Sequence, residues 1–232
     1  MNTHGGHFIH GRVLPFATGV SLGRDALHVF VFGGDGDGFS IGGNQLDHAG
    51  RKNIRLTYVI MDNFVYGLTE KQTSLTSSQG FRSKMDPTGA IDRPTNPMQK
   101  LLSSGATFVA RTHATQIKHM TEMYERSIQH DGFSVVECLS ECVEFYKGAF
   151  DAAVPRKGDA FEVINEEAHD VTNVAGALAL AEEEWPGKFG VHYQDKEPTK
   201  NENKQKLIES ARAKTKGTSD LDLLKKTFAQ MK

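Results

Sequence analysis

Residues 27–64 read LHVFVFGGDGDGFSIGGNQLDHAGRKNIRLTYVIMDNF, and their pattern sets the fold class. The apolar, β-branched and aromatic run 27–32 stops at a glycine cluster, as a buried strand does when it meets a turn. From Ile41 to Lys52, Ile41, Leu46 and Ala49 fall at near-helical spacing, and residues 55–61 (RLTYVIM) form a second buried run. A strand–helix–strand unit of this length makes two parallel strands with both carboxyl ends on one edge of the sheet. Asp35 and Asn63 each follow such an end, and ligands of open α/β sheets collect there. The two polar motifs are therefore expected to share one site.

In Gly34-Asp35-Gly36 the missing side chains let main-chain N–H groups approach a diphosphate, and the carboxylate of Asp35 offers a hard oxygen to Mg²⁺. Asn63 adds an amide oxygen at the next strand end, and the Val65 carbonyl is close enough in sequence to be a third ligand. Each motif alone has a plainer reading, a tight glycine turn for the first and an Asx turn closing a strand for Asp62-Asn63. Their joint spacing favours the ligand site.

Outward from this unit, residues 107–111 (TFVAR) read as a strand, and 116–130 as an amphipathic helix with Ile117, Met120, Met123, Tyr124 and Ile128 inward. Residues 134–139 (SVVECL) read as a further strand, with Cys142 just beyond it. The expected fold is α/β, an open, mostly parallel sheet with helices on both faces. Residues 69–97 are rich in Ser, Thr, Gly and Pro without periodicity, longer than the roughly 4–6 residues of most connections, and such loops usually carry function. After about residue 151 the composition turns polar. Residues 196–206 (KEPTKNENKQK) read as a solvated charge run and 207–232 as a marginal amphipathic tail that wraps a partner or frays. The expected division is a cofactor-binding domain over 1–150 and an extension with a polar tail over 151–232.

The 232 residues suit one compact domain. A net charge of −2 and a pI near 6.6 point to neither nucleic acid nor an anionic membrane as partner. The amino-terminal stretch has no signal-peptide pattern, and no run approaches the roughly 20 apolar residues of a membrane span, so a cytoplasmic protein is expected. Cys138 and Cys142 are the two cysteines, too few for a disulfide scaffold or, alone, for a four-thiolate cluster. GGDGDG lacks both a P-loop lysine and GxGxxG spacing, which argues against a nucleotide-binding regulator.

Four stretches carry a resemblance: HGRVLPFATG (10–19), GDGDGFSIGGNQLDHAGRKN (34–53), DNFVYGLTEKQ (62–72) and SECVEFYKGAFD (140–151). In that order and spacing they resemble the beta subunits of 2-oxoacid:ferredoxin oxidoreductases, the 2-oxoglutarate branch above all, with a weaker block at 169–181. The resemblance implies a thiamine diphosphate-binding fold in which Asp35, Asn63 and the Val65 carbonyl hold Mg²⁺. It implies that His10, Gly34, Gly36, Asp37, Gly67 and Leu68 line the cofactor, and that Leu68, Glu70 and Lys71 lie toward the 2-oxoacid. It further implies a heterodimer whose alpha subunit supplies the proton-transfer acid, with iron–sulfur clusters carrying electrons to ferredoxin and coenzyme A accepting the acyl group. No catalytic acid is assigned to this chain.

Two departures stand out. Members carry upstream cysteines that join one in a motif like SECVEF around a [4Fe–4S] cluster. Here only Cys142 matches, so the chain is expected to be a truncated form or a cluster-free homologue, and a second reading is a noncatalytic assembly module that docks a partner. TEKQ (69–72) stands where TKGQ or TGGQ is common. Lys71 either pairs with the distal carboxylate of 2-oxoglutarate or points to solvent, and pyruvate or a branched-chain 2-oxoacid is the alternative substrate.

Overall fold

A computed structural model describes residues 3–155 and 157–231. Its elements run α1 (Val13–Gly23), β1 (Phe30–Gly34), a π-helical turn (Gly36–Ile41), α2 (Gly43–Arg51), β2 (Leu56–Asp62), β3 (Val65–Tyr66), β4 (Gln72–Thr73), α3 (Pro97–Ser103), β5 (Phe108–His113), α4 (Ile117–Gln129), β6 (Phe133–Leu139), β7 (Glu162–Val163), α5 (Val174–Ala181), β8 (Lys188–Gln194), α6 (Lys200–Lys214) and α7 (Asp220–Gln230). Six strands form one sheet in the order β1-β2-β6-β5-β8-β7, and β3 and β4 form a separate hairpin. The first four strands of the sheet are mutually parallel, and β8 runs antiparallel to β5.

Side chains alternate between the two faces of a strand, and the core divides accordingly. Tyr58, Ile60, Val109 and Val135 pack with Leu14, Leu46, Leu101 and Ala177 from α1, α2, α3 and α5. Val59, Ala110 and Val136 pack with Met123 of α4 on the opposite face. The expected α/β sheet, mostly parallel and covered by helices on both sides, is what the chain forms.

Three local expectations need correction. The run 27–32 is not a buried strand: β1 starts at Phe30, continues into Gly34 and lies at the sheet edge, which leaves Phe32 exposed. In α4, Met123 is buried and Met120 and Tyr124 pack against it, but Ile117 is 68% exposed and Ile128 39% exposed. At about 100° per residue the two isoleucines lie roughly 80–100° round from the buried centre at Met123, Met120 and Ser127. Finally, the charge run 196–206 is largely helical. Thr199 and Glu202 close a capping box at the start of α6, and buried Asn201 donates 2.8 Å to the Ser21 carbonyl and 2.9 Å to Asp25 Oδ1, docking the helix on α1. Residues 151–231 also supply β7, α5 and β8, with Val191 and Phe189 fully buried.

Candidate functional site

The parallel register brings the carboxyl ends of β1, β2, β6 and β5 to one edge. Asp35 leaves β1 there and Asp62-Asn63 closes β2. The Ser140 amide donates 2.8 Å to the Asp62 carbonyl and so ties the end of β6 to the same edge. The expected meeting of Asp35 and Asn63 is thus present: the Asn63 amide points at Asp35 Oδ1 across 3.5 Å.

Asp35 is 2% exposed, and its Oδ2 accepts hydrogen bonds from Ser74 Oγ and, at 3.0 Å, from Thr76 Oγ1. It makes no ion pair among the described residues. Burial pushes its carboxyl above the usual range against the pull of those hydroxyls. Asp62 lies deeper. Burial, then the charges of Asp35 and Glu137, push it well above the usual carboxylate range, and its Oδ2 has no partner. Thr76 Oγ1 sits 3.0 Å from Asp35 Oδ2 and 2.9 Å from Asp62 Oδ1. A hydroxyl has one proton to give, so Thr76 can donate to only one of the two carboxyls at a time.

The Asx turn read from Asp62-Asn63 is also real. Asp62 Oδ1 accepts from the Phe64 amide at 3.0 Å and Asn63 Oδ1 from the Val65 amide at 3.1 Å. An amide oxygen has two lone pairs, so this bond leaves Asn63 one acceptor position. Phe64 takes φ +62° between them, a conformation that non-glycine residues adopt where surroundings hold them. Here Phe150 and Trp185 pack on its ring at 4.8 and 5.0 Å.

The glycines let neighbouring side chains pack directly against the turn. A Cβ on Gly36 would stand 2.1 Å from the Tyr66 ring, and one on Gly33 2.6 Å from Asp37 Oδ2. Asp37 is engaged internally, accepting from the Gly11 amide at 2.6 Å and from the Tyr58 hydroxyl at 3.3 Å, and lying 2.9 Å from His10 Nδ1. It thereby fastens the segment before α1 to the turn after Asp35 and sets His10 beside Tyr66, ring centres 5.9 Å apart.

The turn from Gly67 to Lys71 joins β3 to β4. Leu68 projects from it, 99% exposed. Glu70 pairs with Lys84, and Lys71 sets Nζ 5.4 Å from the centre of the Phe81 ring. Glu70 and Lys71 both have positive φ, +69° and +67°, a backbone state that glycine adopts freely. Cys142 is half-buried and Cys138 buried, as expected for a residue within β6.

Ser74, Thr76 and Tyr66 were not singled out from the sequence, and Asp62 was read only as the partner of Asn63 in its motif. Ser74 and Thr76 are buried with Leu75 exposed between them, and that period-two hydroxyl pattern inside 69–97 was the available signal. Among the described residues no three His, Cys, Asp or Glu side chains gather as a metal-sized group. Asp35 and Asn63 offer a carboxylate and an amide oxygen at this edge, hard donors that suit Mg²⁺. No helix among the described residues is long and apolar enough to cross a membrane.

The family described as thiamine pyrophosphate enzyme, C-terminal TPP binding domain, matches residues 1–138. The 2-oxoglutarate oxidoreductase subunit KorB of Mycobacterium tuberculosis is 43% identical over 177 residues, which cover 76% of this chain and 47% of that protein. The 2-oxoglutarate synthase subunit KorB of Methanocaldococcus jannaschii is 34% identical over 210 residues, covering 89% of this chain and 76% of the relative. Among solved structures, the 2-oxoglutarate:ferredoxin oxidoreductase of Magnetococcus marinus, with 2-oxoglutarate, coenzyme A and succinyl-CoA bound, superposes with a TM-score of 0.83 at 36% identity, over 96% of this chain and 74% of that one. The chain spans about half the length of several curated relatives it matches.

Proposed function

The chain belongs to the thiamine pyrophosphate enzymes, among the beta subunits of 2-oxoacid:ferredoxin oxidoreductases, and on that premise we propose that it holds thiamine diphosphate and Mg²⁺ in an enzyme that oxidatively decarboxylates 2-oxoglutarate to its acyl-CoA. The observation that carries the reading is Asp35, a buried carboxylate without an ion-pair partner among the described residues, brought beside Asn63 next to the glycine turn. A buried carboxylate with a raised pKa has a standing demand for a cation, and a divalent ion meets it.

In this reading Asp35, Asn63 and the Val65 carbonyl hold Mg²⁺, while Gly34, Gly36, Gly67 and His10 line the diphosphate side. Ser74 and Thr76 fix the carboxylate of Asp35, and burial holds the neighbouring Asp62 carboxyl well above the usual carboxylate range. Asp37 acts through His10 and the Gly11 amide, holding the segment before α1 against the glycine turn. Bound thiamine diphosphate supplies the nucleophilic carbon and the electron sink that decarboxylation needs. The residues here position it and exclude water. Leu68, Glu70 and Lys71 form the turn toward the 2-oxoacid.

The proton-transfer acid comes from an alpha subunit. Cys142 offers one thiolate to a [4Fe–4S] cluster whose other ligands lie outside these 232 residues, and ferredoxin takes the electrons. Residues 1–150 carry the cofactor half-site, and the later residues buttress it and meet partners. Pyruvate is the competing substrate, and kinetics with the assembled enzyme separate the two. Titration calorimetry with thiamine diphosphate and Mg²⁺ tests the core of the reading: Asp35→Ala should weaken binding by about 100-fold or more, the scale of losing a charged metal ligand. An unchanged affinity would sink it.

A further inference from the structure

The turn that faces the proposed cofactor is also linked to the loop after β6, once directly and once through Phe81. A Cβ on Gly67 would lie 3.6 Å from Cys142 Sγ, so the thiol already rests against the head of the turn. At the other end of the turn, Lys71 lies over Phe81. Phe81 stacks on Tyr146 with ring centres 4.3 Å apart and planes 22° from parallel, and the Tyr146 amide donates 3.0 Å to the Cys142 carbonyl. The contacts close a ring: Gly67 to Cys142 on one side, Lys71 through Phe81 and Tyr146 back to Cys142 on the other.

The segment bearing Phe81 is itself tied to the hairpin. The Lys84 amide donates 3.2 Å to the Lys71 carbonyl, the Lys84 ammonium pairs with Glu70, and Thr73, Ser83 and Asp86 share hydrogen bonds. Glu70 and Lys71 hold positive φ without being glycine, so side-chain contacts, and not backbone preference, keep this turn in place. Packed side chains resist independent displacement. A shift of the turn is therefore passed to the Cys142 loop.

We propose that Lys71, Phe81 and Tyr146 are positioning residues that couple the cofactor-facing turn to the Cys142 loop, so that a ligand seated at the turn changes the exposure of the Cys142 thiol. The ring of contacts stands by itself, while its role rests on the cofactor reading given above.

The test is the rate of Cys142 alkylation by N-ethylmaleimide, followed by mass spectrometry, in the full chain carrying Cys138→Ala. Without ligand, Phe81→Ala and Lys71→Ala should each raise the rate about three-fold or more, as for a coupling that acts through packing. Tyr146→Phe keeps the stack and should leave the rate unchanged. Loss of the Lys71 cation would by charge alone slow a thiolate reaction, so an increase reports position. Thiamine diphosphate with Mg²⁺ should change the rate about three-fold in the parent and hardly at all in Phe81→Ala. Where Phe81→Ala fails to fold, Phe81→Leu replaces it. Unaltered rates in both variants, or an equal ligand response in parent and Phe81→Ala, overturn the coupling. Failure of the parent to bind thiamine diphosphate by calorimetry overturns the cofactor reading instead, and the ligand-free rates still decide the coupling.

Discussion

The carboxyl edge of the sheet and the last helix of the chain invert each other. At the edge Asp35, Asp62, Ser74, Thr76, Arg111 and Glu137 are polar and buried. On α7, Leu221, Leu224 and Phe228 are apolar and exposed, and the helix buries no residue at all. Burying polar groups costs stability unless each finds a partner, and leaving apolar side chains in water forgoes the main stabilising term. The edge therefore depends on being completed by internal partners and by a cation, whereas α7 contributes little to holding the rest together. Substitutions at the edge should accordingly be costly and those on α7 nearly silent.

The largest effect is expected at Arg111. Its Nε donates 2.6 Å to Glu137 Oε2 and its Nη1 2.6 Å to the Pro186 carbonyl, while Glu137 Oε1 has no partner and the residue is fully buried. Arg111→Met leaves that carboxylate unpaired and should cost about 3–5 kcal/mol in urea unfolding. The double variant Arg111→Met with Glu137→Leu should recover most of it. A single-variant loss below about 1 kcal/mol would mean that buried polarity at this edge carries no structural penalty.

Gly36→Ala comes next. Its new methyl meets the Tyr66 ring at 2.1 Å, and such overpacking costs about 1–3 kcal/mol. Because Gly36 adjoins Asp35, thiamine diphosphate affinity should fall together with stability. Parallel measurement of melting and calorimetric affinity checks whether the two move together.

Stability against pH separates the edge from the core behind it. His192 in β8 is held neutral, its pKa lowered to about 3 by burial, so the fold favours the unprotonated ring. Its stabilising contribution is whole above its unfolded value of 6.5 and is lost as pH falls toward the folded value. Between pH 6.5 and 5 this amounts to about 2 kcal/mol. Asp35 works the other way: with its folded pKa raised above 3.8, its contribution is whole below that value and lost as pH rises. His192→Phe should flatten the acid limb of the stability profile, and Mg²⁺ should restore stability on the neutral side. A His192→Phe profile as steep as that of the parent would remove the histidine from this account.

How much of this was legible follows from which interactions are local. Strand periods and glycine turns are local, so β2, β5, β6 and the meeting of Asp35 with Asn63 could be read directly. The edge position of β1 could not, because strand order depends on pairings far apart in sequence. Ser74 and Thr76 reach Asp35 across about forty residues, and nothing local marks Asp62 as the more deeply buried carboxyl. The helix in 196–206 was missed because its charge concealed a capping box at Thr199 and a single buried anchor, Asn201.

That anchor frames the smallest predicted effects. Asn201 is the one buried residue of α6, and its amide donates to the Ser21 carbonyl and to Asp25. Asn201→Ala should cost about 1–2 kcal/mol, the loss of a buried side chain–backbone bond with its acceptors left unpaired, and should loosen α6 in hydrogen exchange. Deleting residues 219–231, which hold α7 and no buried side chain, should change urea unfolding by less than about 0.5 kcal/mol, as for surface changes generally. The ratio between these two is the sharper quantity, since both lie on the same polar stretch of chain. If deletion of α7 cost as much as loss of Asn201, the contrast between an edge built on buried polar contacts and a helix that rests on none would fail at its second term.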